Sequence, residues 1–101
     1  MKKITEKNFE KEIEKGLVLV DFFATWCGPC RMMSSILEEN SSLLKDVKVL
    51  KVDVDEEENL AKKFGVMMIP TLILFKDGKE IEKHVGIWQI EELLDTISEN
   101  K

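Results

Sequence analysis

The stretch TWCGPCRMM, residues 25–33, holds both cysteines of the chain, Cys27 and Cys30, with Gly28 and Pro29 between them. Two thiols so close in sequence can join only where the backbone turns tightly. The first turn of a helix is such a place. Pro29 suits it, because its φ is fixed and the N–H it lacks would have no partner there. Gly28 lets the chain leave a preceding strand without a Cβ clash and leaves room for another backbone to approach. A helix start also presents unpaired N–H groups and the positive end of the dipole. Both favour a thiolate at Cys27 and are expected to lower its pKa below about 8.5. Arg31 adds positive charge nearby, at screened strength. Cys30, one turn deeper, is expected to be shielded and to titrate higher. The chemistry implied is thiol–disulfide exchange: Cys27 attacks a partner's disulfide, and Cys30 then attacks Cys27 to release the reduced partner.

The second step needs a base, and Asp21 is the candidate. It sits among Leu19, Val20, Phe22 and Phe23, where desolvation raises a carboxyl pKa toward the range useful for proton transfer. Lys51 interrupts the neighbouring strand in the same way and could face Asp21, moderating that rise. The blander reading leaves Asp21 in water at a strand end; the two aromatics that follow it argue against this. Trp26, directly before the reactive cysteine, is expected to flank the sulfur and touch partners. A C-x-x-C pair can also bind metal, but zinc wants about four ligands, and the chain adds only the distant His84. No metal or other bound cofactor is expected beyond the Cys27–Cys30 pair itself. His84 reads as a solvated edge residue and Trp88 as the start of a helix. Met67 and Met68 read equally as core filler or as a pliable contact surface.

The elements that must hold these groups follow from periodicity. Thr5 can cap a helix whose apolar face includes Phe9 and Ile13. LVLVDFF (17–23) has the short, β-branched character of a buried parallel strand. Beyond the cysteines, Met32, Met33, Ile36, Leu37, Leu43 and Leu44 fall on one side of a helix. VKVLKVDV (47–54) is the next strand, after which Asp55 and Glu58 resemble a capping box and Lys62, Lys63 and Gly65 close a short helix. TLILF (71–75), the Asp-Gly turn in KDGK (76–79) and EIEKHVG (80–86) form a hairpin. Ile90, Leu93, Leu94 and Ile97 mark a C-terminal helix. Strands alternating with helices, then a hairpin and a helix, predict an α/β protein with a mixed sheet covered on both faces.

The chain of 101 residues reads as one domain, 1–101, with 44% apolar residues. A net charge of -5 with a single arginine argues against a phosphate-backbone partner, so no nucleic acid is expected. No apolar run approaches membrane-spanning length, and the polar start does not resemble a signal peptide. A cytoplasmic monomer is expected, and in a reducing cytosol a lone cysteine pair is unlike a permanent staple.

Taken together, VDFFATWCGPC (20–30), KVDVDE (51–56), GVMMIPTLILFKDGK (65–79) and HVGIWQIEELL (84–94) resemble the thioredoxin family along essentially the whole chain. The resemblance implies the thioredoxin fold, a central mixed five-stranded sheet flanked by four helices in the order βαβαβαββα. It implies that Cys27 is the nucleophile, Cys30 the resolving thiol and Asp21 the proton-transfer group, with Lys51 beside it. It also implies a cis peptide bond before Pro70 and a docking groove lined by Trp26, Ile69 and Gly86, in which the Ile69 backbone pairs with an extended client segment. A separate thioredoxin reductase and disulfide-containing client proteins would be the partners. Three positions depart from the family pattern: Ser35 replaces a helix-kinking proline, Phe23 a tryptophan, and Met68 precedes Ile-Pro where other types are common. A dedicated electron donor to one enzyme and a non-catalytic interaction module are the competing readings.

Overall fold

Leu17–Phe23 forms the central strand of the sheet, as its unbroken apolar run predicts. The structure is a computed structural model and describes residues 1–101. In chain order the elements are β1 (Lys2–Lys3), α1 (Glu6–Ile13), β2 (Leu17–Phe23), α2 (Gly28–Glu39), a 3-10 turn (Ser41–Leu44), β3 (Lys48–Asp53), α3 (Glu58–Lys63), β4 (Thr71–Lys76), β5 (Lys79–Val85) and α4 (Ile90–Glu99). This is the expected βαβαβαββα order. The sheet runs β1-β3-β2-β4-β5, with β1, β3 and β2 parallel and β4 and β5 antiparallel to their neighbours.

Alternation along the strands assigns the two faces. Val18, Val20 and Phe22 join Phe9 and Ile13 of α1 and Leu60 of α3 in one core. Leu19 joins Met33 and Leu37 of α2 and Leu93 and Ile97 of α4 in the other. Asp21 has the parity of Leu19, and Lys51 that of Val49, so both belong to the α2/α4 face. Leu72 of β4 faces Asp21 from the other side. β4 and β5 meet in a tight turn at Asp77 (φ 50°) and Gly78 (φ 84°), the left-handed pair that an Asp-Gly hairpin requires.

Two local expectations are corrected. Met32 and Leu43, assigned to an apolar helix face, are largely exposed. Helix α2 stops at Glu39, and the tighter 3-10 turn changes the phase, so Leu44 alone of that turn points inward. The Asp55/Glu58 capping box does not form either. Asp53 instead closes the turn after β3, its Oδ1 accepting from the N–H of Asp55 (2.9 Å) and of Glu56 (3.4 Å). Helix α3 then opens after Glu57 with no side-chain cap, and the Asp55 carboxylate is free for another task.

Candidate functional site

Strand β2 delivers the chain to the cysteines and α2 begins on them. Cys27 is the N-cap of α2, and Pro29 occupies its first turn. The two cysteines form a disulfide, with Cα atoms 5.2 Å apart. The N–H of Cys30 donates to Cys27 Sγ at 3.2 Å, so an orphan donor of the helix start is aimed at that sulfur. Cys27 and Cys30 are 5% and 2% exposed. Cys30 is shielded, as expected, but Cys27, expected to be exposed, is nearly enclosed as well.

The segment before β4 packs against the disulfide, and Gly86 is tied to that segment. The Ile69–Pro70 peptide bond is cis, as the family resemblance implied. It brings Ile69 against the cysteines, with its carbonyl oxygen 4.0 Å from Cys27 Sγ. Ile69 precedes the first residue of β4, so its own N–H and C=O are not committed to the sheet ladder. Gly86 donates its N–H to the Pro70 carbonyl at 2.7 Å. Its φ of 94° and the open space where a Cβ would stand leave that loop unobstructed. Trp26 is 68% exposed beside Cys27. Its indole Nε1 donates to Asp55 Oδ2 at 2.8 Å, which fixes the ring. Met67 and Met68 are exposed on the loop before Ile69, which removes the core-filler reading: they are not core.

Asp21, on the strand that leads to the disulfide, has no exposed surface. Neither carboxyl oxygen has a hydrogen-bond partner. Burial raises its pKa from the ordinary carboxylate value to about 7, and the positive charge of Lys51 opposes the rise. Lys51 is its register partner on β3. The Lys51 ammonium, however, donates to Ser34 Oγ at 2.7 Å and lies 4.2 Å from the centre of the Phe23 ring. A shallow pocket of about 270 Å³, lined by Cys30, Phe23, Ser34 and Lys51 among others, opens beside Cys30. A larger groove of about 420 Å³, between Leu37, Leu44 and Val47, carries no thiol.

Three residues make contacts to which the sequence did not point. Asp55 anchors Trp26. Ser34 lies four positions after Cys30, the spacing that places two side chains on one helix face, and that was the available signal. His84 is not a solvated edge residue: it is half-buried, stacked at 4.7 Å on the buried Trp88 ring, with Nε2 3.0 Å from the Ile87 carbonyl. Trp88 in turn donates its backbone N–H to Met33 Sδ at 3.2 Å, which ties the segment after β5 to α2. Such contacts join residues distant in sequence and have no periodic signature.

The comparisons with known proteins agree with this geometry. The family model described as Thioredoxin matches residues 1–99. A thioredoxin of Chlamydia muridarum is 49% identical over 98 residues, covering 97% of this chain and 96% of its own. A thioredoxin of Staphylococcus saprophyticus is 48% identical over 99 residues, covering 97% of this chain and 95% of its own. The crystal structure of Fasciola hepatica thioredoxin superimposes with a TM-score of 0.89 at 40% identity, covering all of both chains.

Proposed function

This chain belongs to the thioredoxin family, and from that premise we propose how each residue of the site serves its dithiol–disulfide exchange. The Cys27 thiolate is the nucleophile. It attacks one sulfur of a client disulfide, forming a mixed disulfide and expelling the client's other sulfur as a thiolate. Cys30 then gives its proton to Asp21 and attacks Cys27 Sγ. The bond to the client breaks, the client leaves as a dithiol once its thiolates take up protons, and the Cys27–Cys30 disulfide remains. Two electrons pass to the client. A separate reductase returns them, so the protein acts as an electron carrier between the two.

The observation that carries this reading is the asymmetry of the pair: Cys27 caps the helix, with the Cys30 N–H directed at its sulfur, while Cys30 lies within the first turn of α2 and the strand leading to the pair holds a fully buried carboxyl. An anion on Cys27 gains from that donor and from the helix start; Cys30 must lose its proton in a desolvated place, where a carboxylate with pKa near 7 is a fitting acceptor. Lys51 moderates the Asp21 carboxyl through its charge. Gly28 and Pro29 set the turn that holds the sulfurs together. Trp26, Ile69, Pro70 and Gly86 form the docking groove, in which a client segment adds to the Ile69 backbone as an extra strand. The reading extends to a cytoplasmic setting, where a pair that must be recharged meets a reducing pool.

Reduction of insulin disulfides tests the assignment. Cys27→Ser is expected to abolish turnover by about a thousandfold or more, and Cys30→Ser to accumulate a mixed disulfide on Cys27. Turnover at the parent rate in Cys27→Ser would remove the nucleophile assignment. Mass spectrometry of the complexes trapped by Cys30→Ser identifies the clients, and a single trapped species would favour a dedicated donor.

A further inference from the structure

Lys51 and Asp21 are register partners on adjacent strands and leave the sheet on the same face, yet they do not pair. The Lys51 ammonium bonds to Ser34 Oγ at 2.7 Å, and both Asp21 oxygens stand without a partner. The one cation able to neutralise the buried carboxylate is tied to the helix above it.

We propose that Ser34 is a positioning residue for the exchange reaction: its hydroxyl anchors the Lys51 ammonium to α2 and off the Asp21 carboxyl, keeping that carboxyl able to accept the Cys30 proton. The inference rests on the proton-transfer role of Asp21 given above.

The physical basis is a competition for one cation. Closure of an ammonium on a carboxylate at a desolvated site lowers the carboxyl pKa by about 1–3 units, and a weaker base removes a thiol proton less readily. The Ser34 hydroxyl supplies the ammonium with a hydrogen bond, and the Phe23 ring, 4.2 Å away, supplies a cation–π contact. Together they offset the hydration Lys51 loses in the pocket, so it is not driven onto Asp21. Nothing else around Asp21 substitutes for it. Leu72, facing it from β4, is apolar. Arg31 on α2 is directed to the Thr25 carbonyl at 3.1 Å, and Glu38 and Glu39 lie exposed at the far end of that helix. Lys51 is the one charge that acts on the carboxyl.

In the oxidised protein no thiol titrates, so carbon-13 NMR can follow the Asp21 carboxyl alone. Ser34→Ala is expected to lower its titration midpoint by about half a unit or more, and Ser34→Thr, which keeps the hydroxyl, to leave it in place. In a Lys51→Met background Ser34→Ala is expected to move nothing, since the cation through which Ser34 acts is gone. Release of a preformed mixed disulfide gives the kinetic counterpart: in Ser34→Ala its rise with pH moves to lower pH and its plateau falls. A helix that is merely loosened would slow release without displacing the profile. An unmoved or raised midpoint in Ser34→Ala, or a shift that persists without Lys51, overturns the inference. Failure of the underlying reading has a separate signature, in which Asp21→Asn leaves the release rate and its pH profile unchanged.

Discussion

Toward α1 and α3 the sheet presents Val18, Val20, Phe22, Leu50, Val52, Ile73 and Phe75, every one buried and apolar. Toward α2 and α4 the same strands present Leu19, Leu72 and Leu74, but also a carboxyl without a hydrogen bond and a half-buried lysine. The first face is closed by aromatic contacts, with Phe9 at 5.2 Å from Phe64 and 5.8 Å from Phe75. The second is open at the end where the disulfide lies. One face is wholly apolar, and the other holds a buried carboxyl without a partner, the group proposed above to take the Cys30 proton. A buried carboxyl with no partner is a cost that folding would otherwise remove.

Truncation on the apolar face tests the comparison most severely. Phe9→Ala leaves a cavity among Phe64, Phe75 and the strands, and is expected to cost about 3–5 kcal/mol in denaturant unfolding. Client reduction by the molecules still folded is expected to stay within about twofold. A comparable loss of chemistry would show that the two faces are not separable.

Asp21→Leu is expected to act in the opposite sense. The native Asp21 pKa is about 7, well above about 3.9 in an unfolded chain. Between those values the folded protein holds a proton that the unfolded chain has released, so stability falls as pH rises from about 4 to about 7 and is level beyond. At about 1.4 kcal/mol per pKa unit, removing the carboxyl is expected to stabilise the protein at pH 8 by roughly 4 kcal/mol and to erase that slope. Client turnover is expected to fall about a hundredfold. Denaturant unfolding at pH 5 and pH 8 reads the first part; an unaltered slope would show that Asp21 is not the strained group.

The smallest effect concerns the rim. Asp55→Ala frees the Trp26 indole from its 2.8 Å hydrogen bond, and is expected to raise the KM for a protein client by about threefold to tenfold, near 1 kcal/mol, with kcat within about twofold. An unchanged KM would detach the fixed indole from client docking.

Most of the fold was legible because it rests on short-range signals. The run at Leu17–Phe23, the Asp77-Gly78 turn and the period of Ile90–Ile97 each name an element within a few residues. Leu43 misled because periodicity carries no information on where a helix stops and a 3-10 turn changes the phase, whereas Met32 lies inside α2 but off the stripe of Cys30, Met33 and Leu37. Asp55 read as a cap because caps are local, whereas its partner Trp26 is a contact across the fold. Ser34 lay in plain sight four residues past Cys30, but its meaning depends on a lysine from another strand.

By itself, the order of residues determined that two thiols would share a helix start, that a carboxyl would be buried in the strand before them, and which chain segments would become strands and helices. These follow from the backbone's local preferences and from the alternation of apolar positions, which act over a few residues. Only the tertiary structure decided that Lys51 turns to Ser34 instead of Asp21, that Asp55 holds Trp26, and that His84 stacks on Trp88. Those are choices between partners brought together by packing, and a side chain with several acceptors within reach selects one only after the surrounding elements have fixed the distances.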